Sequence, residues 1–136
     1  MIITNPPPKI YGLVIHGGAG APAKKDSDPA DEQLHQQKLQ EALDAGYAVL
    51  QTNGPATEAV IAAVKVMENA GIFDAGKGCV FDAAGLCEMD ACIMDGRTLA
   101  AGGVTCVQHV KNPIDLARAV MDKTPHVILA GEGAEE

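Results

Sequence analysis

The residues of this chain that could do chemistry fall into a few clusters. Gly71-Ile-Phe-Asp-Ala-Gly-Lys77 satisfies the first seven positions of the G-x-x-x-x-G-K phosphate-binding pattern, but Gly78 stands where a Ser or Thr hydroxyl would hold magnesium. The order around it reads helix, loop, strand, so no helix N-terminus aims its amides at a phosphate. Gly18-Ala-Gly-Ala-Pro-Ala23 imitates a dinucleotide fingerprint after a strand, yet the polar run Lys24 to Asp31, with Pro29 in it, starts no packed helix. Glycines 17, 18 and 20 there permit positive φ and close backbone approach. Glu88 and Asp90 share one face of a strand, roughly 6.6 Å apart along it. Such a pair suits glycoside hydrolysis, in which retaining enzymes hold two carboxyls about 5–5.5 Å apart. Two Phe, two Tyr and no Trp leave little for a sugar platform. His35, His109 and His126 lack metal-ligand spacing and read as surface or packing residues. Cys79, Cys87, Cys92 and Cys106 lack C-x-x-C spacing, and three lie in apolar strand-like runs, so buried free thiols are expected rather than zinc ligands or disulfides.

Composition narrows the partners. With 18 acidic against 10 basic residues, the net charge of −8 opposes approach to phosphate backbones and anionic lipid. Nucleic acid and membrane partners are therefore not expected. The start, Met1 to Lys9, has no basic residue leading into a long apolar stretch, and no run approaches the roughly 18 apolar residues of a membrane span. A soluble cytoplasmic protein of one domain's size is the expectation.

The elements that must position these clusters can be read from periodicity. Ile10 to Ile15 is strand-like, and Ala21 to Asp31 is a polar connection. Leu39, Leu43, Gly46 and Leu50 recur at helical spacing up to Asn53, before Gly54 and Pro55. Thr57 can cap a second helix with Val60, Val64 and Met67 on one stripe and Gly71 as its stop, the two helices packing as an antiparallel pair on one side of a sheet. Strands follow at Cys79 to Asp82, Leu86 to Met94 and Leu99 to Val107, with turns at Ala84-Gly85 and Asp95-Gly96 that suggest a meander. Asn112 caps a third helix with Pro113 at its first position and Asp115 in its first turn. Thr124-Pro125 ends it before a strand at His126 to Ala130, and Gly131 to Glu136 resembles the opening of another helix.

This order predicts an α+β fold with helices on an antiparallel sheet. Met89, Ala91 and Ile93 fall on one face of the middle strand and Leu86, Cys92 and Met94 on the other. Both faces are apolar, so a second polypeptide is expected to supply another layer.

Five segments carry a more specific resemblance: Val14-Ile-His-Gly-Gly-Ala-Gly20, Phe73-Asp-Ala-Gly-Lys-Gly78, Glu88-Met-Asp-Ala-Cys-Ile-Met-Asp-Gly96, Lys111-Asn-Pro-Ile-Asp-Leu-Ala-Arg-Ala-Val-Met121 and Thr124-Pro-His-Val-Ile-Leu129. Together they resemble the plant-type asparaginase and isoaspartyl-peptidase family of N-terminal-nucleophile hydrolases, over nearly the whole chain. The resemblance implies the N-terminal half of a four-layer αββα sandwich. It implies an enzyme that cleaves L-asparagine and isoaspartyl peptides with a threonine freed by self-cleavage of a Gly-Thr bond. No Gly-Thr pair occurs in these residues, so the chain reads as an alpha-subunit-like part that carries no catalytic residue. Its partner would be a beta-type chain starting with Thr, in an (αβ)2 assembly. The alternative is a truncated non-catalytic paralogue that binds a partner.

By the same resemblance, the glycine loop at Gly17 and Gly18 lies near the nucleophile, and Glu88 and Asp90 are structural. Met67, Glu68, Ala70, Phe73, Ala75 and Lys77 would hold a structural sodium ion through backbone carbonyls, which are hard donors whose side chains matter little. No organic cofactor is implied. The family usually has Asn where Asp74 stands. An ionised Asp only accepts hydrogen bonds, and its charge lies near an anionic substrate.

Overall fold

The computed structural model describes residues 10–18 and 28–136. Helix α1 (Pro29–Gln51) begins where Asp28, in extended backbone, accepts the Ala30 amide at 2.9 Å, with Pro29 at the first helical position. Residues 21–27 of the expected polar connection lie outside the described residues. Ala42, Gly46 and Leu50 form the buried face of α1, while Leu39 and Leu43 are half-buried. A short link leads to α2 (Ala56–Ala70), which ends at Gly71 in the left-handed conformation, φ 74°. Pro55 precedes it without a side-chain cap, so Thr57 lies inside the first turn rather than capping it. The expected Val60, Val64, Met67 stripe is also corrected. Ala59 and Ala63 face Gly46 of α1, Ile61 and Glu68 are buried on the side towards the rest of the fold, and Val60 is exposed. One helix packed on two neighbours needs two adjacent faces; of the expected stripe Val64 packs against the core and Met67 is half-buried, and Val60 is the member that departs.

The sheet is β1 (Met89–Met94), β2 (Ala101–Val107) and β3 (Ile128–Ala130), in that order, with α3 (Pro113–Lys123) and the short α4 (Glu132–Glu135) completing the chain. β1 and β2 are antiparallel as expected, but β3 runs parallel to β2. The expectation of a wholly antiparallel sheet therefore fails at its last strand: α3 carries the chain back along the sheet, as a parallel connection requires. Residues 10–15 form no strand and Val14 is 92% exposed, because none of the three strands pairs with them. Cys79 to Asp82 reduces to a single bridge between Phe81 and Cys87, since the Val80 amide goes to the Asp74 carboxylate at 3.0 Å instead of a ladder. Leu99 falls in the turn before β2, at φ 62°, with its amide on the Asp95 carbonyl.

The core joins Ile61 of α2, Met89 and Ile93 of β1, Val104 and Val107 of β2, Ile114, Ala117 and Val120 of α3, and Ala134 of α4. Val104 and Val107 share the inner face although they are three residues apart. The strand gains one residue opposite Asp90, and Cys106 takes φ 54° there. The outer face presents the cross-strand row Cys92, Gly103 and Ile128, flanked by Met94, and nothing in the described chain covers it: Met94 is 56% and Ile128 62% exposed. Cys92 and Cys106 are consequently exposed and Cys79 and Cys87 only half-buried, so the expectation of buried thiols does not hold. Among the described residues, no helix is long and apolar enough to cross a membrane.

Helix α3 lies close on the sheet at Gly102, where a β-carbon would collide with the Ala117 carbonyl and the Met121 amide. Backbone cannot move aside as a flexible side chain can. Gly102→Ala should lower unfolding free energy by about 1–3 kcal/mol through overpacking; a urea midpoint equal to that of the parent would refute this packing.

Candidate functional site

The end of α2 and the loop after it bring the sequence-selected residues together. The last four carbonyls of a helix have no intrahelical partner, and in α2 these belong to residues 67–70. The chain then turns back on itself. The Ala75 amide reaches the Phe73 carbonyl at 2.8 Å, and a 3-10 turn over Gly76–Gly78 directs the Gly78 amide to the Ala75 carbonyl at 3.1 Å. Gly76, at φ 54°, sits so close to α2 that a β-carbon would stand 2.6 Å from the Glu68 carbonyl oxygen. The loop backbone is thus folded over the helix C-terminus, the negative end of its dipole. Glu68 and Phe73 are buried, Met67, Ala70 and Ala75 half-buried, and Lys77 exposed. Carbonyl oxygens keep a second lone pair after one hydrogen bond, so this segment has donor chemistry suited to a hard cation.

The glycine loop meets the same place. A β-carbon on Gly17 would stand 2.9 Å from Leu39 and 3.3 Å from the Phe73 ring. Gly18 adopts φ 106° and its amide contacts His16 Nδ1 at 3.2 Å; Gly20 lies outside the described residues. The dinucleotide-like match therefore extends beyond the described residues, whereas the phosphate-loop match fails as expected, because residues 71–78 follow a helix and lead into a bridge.

His35 was legible only as a surface or packing residue. Its Nε2 lies 3.2 Å from the Ile72 carbonyl, its Nδ1 2.8 Å from the Asp31 carbonyl, and its ring meets Phe73 edge-on at 5.6 Å. It fastens the start of α1 to the loop. A histidine nearly two turns into a helix gives no local sign of this.

The resemblance concerns the Glu68 carbonyl, but its side chain has a separate role. Only 3% exposed, it accepts the Ile114 amide at 3.0 Å and the Asn112 side-chain amide at 2.9 Å. Asn112 precedes α3 but makes no capping bond to it; the carboxylate from α2 caps α3 instead. Removal from water pushes the Glu68 carboxyl up, against the lowering pull of those two bonds. Lys65 adds an ion pair to Asp115 at 2.6 Å across the same junction.

Asp90 is committed to the fold, whereas the Glu88 side chain is exposed. Asp90 Oδ1 accepts the Thr105 hydroxyl at 2.6 Å and the Cys106 amide at 2.8 Å, supporting the bulge. Glu88 accepts from Gln108 Nε2 at 3.3 Å. The Thr105 hydroxyl first, then the Cys106 amide, hold the Asp90 carboxyl below its usual value, the opposite of what a general acid needs. His109 is likewise structural: Glu135 takes its backbone amide at 2.9 Å, its Nδ1 at 2.9 Å and the Gln108 amide at 2.6 Å, pinning α4 to the end of β2. Among the described residues, no group of three or more His, Cys, Asp or Glu side chains is placed to hold a metal.

Comparison with known proteins gives the family of the chain. The asparaginase family model matches residues 9–136. This chain belongs to the asparaginase family. It is similar to the isoaspartyl peptidase of Salmonella typhimurium, 43% identical over 123 residues, covering 90% of this chain and 39% of that protein. The isoaspartyl peptidase/L-asparaginase of Homo sapiens is 45% identical over 124 residues, covering 91% of this chain and 39% of that protein. The isoaspartyl peptidase of Escherichia coli is 41% identical over 123 residues, covering 90% and 38% respectively. The chain thus spans about two fifths of the length of these asparaginase-family relatives, 39%, 39% and 38%.

Two outcomes test the junctions. Glu68→Ala strands the buried Ile114 amide and should cost about 1–3 kcal/mol in urea unfolding. Asp90 has a lowered folded pKa, so its stabilisation is complete above the unfolded value near 3.9 and is lost as pH falls through the lower folded value. Asp90→Asn should therefore be less stable than the parent at pH 7, with the gap closing as pH drops below about 4. A gap that stays constant would show that the charge contributes nothing.

Proposed function

We propose that this chain is the alpha-subunit-like part of a cytoplasmic hydrolase that cleaves L-asparagine and isoaspartyl peptides, as the N-terminal half of an αββα sandwich. The observation that carries this reading is the identity of 41–45% over nine tenths of the chain to relatives named isoaspartyl peptidase or isoaspartyl peptidase/L-asparaginase. The outer row Cys92, Gly103 and Ile128 supports it, since Ile128 itself and its large apolar neighbour Met94 are exposed in the described residues. The nucleophile would be the N-terminal threonine of a beta-type chain, with its own α-amine as base and with oxyanion donors and substrate clamp on that chain. The complete assembly would be (αβ)2.

In this reading the residues here act as scaffold and site wall. Met67, Glu68, Ala70, Phe73, Ala75 and Lys77 would hold a sodium ion by their carbonyls, and the ion would supply rigidity to the loop rather than reaction chemistry. Phe73 would pass that rigidity to Gly17, on which an added β-carbon would stand 3.3 Å from the Phe73 ring. Asp74 bonds the Val80 amide through one oxygen, a bond that Asn makes equally well. What Asp adds is charge near the reacting groups.

Denaturing mass spectrometry of the natively purified protein, with N-terminal sequencing of any companion, tests the reading. A stoichiometric companion beginning with Thr is expected, together with release of aspartate from isoaspartyl dipeptides. A lone chain of this mass would overturn it in favour of a non-catalytic binder. In the processed enzyme, Asp74→Asn should speed asparagine hydrolysis on the order of tenfold without shifting Tm, equivalent to about 1.4 kcal/mol of repulsion removed; an unchanged rate would show that the charge is tolerated.

A further inference from the structure

The hairpin between the carbonyl-rich loop and β1 holds two thiols in a reciprocal arrangement that the proposed hydrolysis does not use. Cys79 Sγ donates to the Glu88 carbonyl at 3.3 Å, next to Cys87 in the chain, and Cys87 Sγ donates to the Cys79 carbonyl at 3.4 Å. Both side chains therefore turn into the same neck. That neck is fixed on all sides. The Phe81–Cys87 bridge pairs its two limbs, and Asp82 closes its tip by accepting the Ala84 and Leu86 amides at 2.8 Å each. The Cys79 amide reaches the Gly76 carbonyl at 3.1 Å, anchoring the first limb to the loop before it. The other two cysteines lie elsewhere, Cys92 on the outer row of the sheet and Cys106 at the bulge, both exposed.

We propose that Cys79 and Cys87 form a reversible disulfide across the neck of the 79–87 hairpin, making this pair a thiol-oxidation site responsive to peroxides. Sulfur–hydrogen bonds to carbonyls are weak, so little holds the two thiols against rotation towards each other. Burial first, then the hydrogen bond and charge of Cys87, push the Cys79 thiol up to about 11, so Cys79 is the second sulfur to react and Cys87 is the one that meets the peroxide. The chemistry balances with hydrogen peroxide as oxidant. One thiolate attacks a peroxide oxygen, the O–O bond breaks, hydroxide leaves, and a sulfenic acid forms. The Cys79 sulfur then attacks that sulfur and its proton passes to the leaving hydroxide, so the S–O bond breaks as the S–S bond forms and water departs. In sum, two thiols lose two electrons and two protons, and one peroxide becomes two waters. A small thiol reductant returns the pair to its starting state. The product would lock the neck of the hairpin beside Val80, whose amide bonds the Asp74 carboxylate.

The test treats the native protein with graded hydrogen peroxide, blocks remaining thiols with N-ethylmaleimide and weighs the intact chain. The expected product carries two maleimide adducts instead of four and has otherwise lost about 2 Da, the two thiol hydrogens. Cleavage on the N-terminal side of aspartates cuts at Asp82, between the two cysteines, and should leave their peptides joined until dithiothreitol is added. The Cys92→Ser/Cys106→Ser variant retains the pair and should oxidise at the same peroxide concentration, whereas Cys79→Ser and Cys87→Ser should each abolish the link. Four adducts at every concentration, direct passage to sulfinic acid, or a link through Cys92 or Cys106 would overturn the proposal.

Discussion

The structure turns on a carboxylate removed from water. Glu68 stands at the last turn of α2, and both its oxygens are taken by the start of α3, the Ile114 amide on one side and the Asn112 amide on the other. A buried carboxylate is costly unless its acceptors are filled, so the position of α3 relative to α2 is set within hydrogen-bond tolerance. Two further constraints follow. Because α3 is held there, Ala117 and Val120 meet Val104 and Val107 across the sheet, with Gly102 giving the close approach. Because α2 is held there, its final carbonyls and the returning loop are held too, since the loop packs against the same turn.

The candidate site therefore depends on contacts that contribute no side chain to chemistry. His35 fastens α1 to Ile72, Phe73 faces Gly17, and Asp74 takes the Val80 amide. Each fixes the backbone of the loop from a different side. This suits the proposed cation site, in which function would depend on the path of the main chain, so that residues as unlike as Met67, Glu68 and Lys77 could belong to one set.

Much of this was legible beforehand where the signal is local. Pro113 at the first turn of α3, Gly71 after α2 and the Asp95-Gly96 turn all stand where their backbone preferences put them. The same segments carried the family resemblance, so the family could be read from the chain. What could not be read depends on distant partners. Asn112 has the sequence of a helix cap, but a carboxylate 44 residues away takes its side chain. Residues 10–15 have the sequence of a strand but no partner among β1 to β3. The bulge at Cys106 depends on Asp90, 16 residues earlier, and without it Val107 would point away from the core. The parallel β3 follows from the length of α3, a property of the connection rather than of the strand.

The Glu68 junction also bears on the order in which the chain assembles. Residues 89–130 form a sheet and helix from near neighbours in sequence, and residues 29–70 form a helical hairpin in the same way. Few contacts cross between them; Glu68 with Ile114, Lys65 with Asp115 and Arg118 with Glu58 span 46, 50 and 60 residues. Closing loops of that length is entropically slow compared with forming either unit. The two halves thus resemble separate folding units whose docking comes last, and the loop at their junction acquires its final shape only in that step.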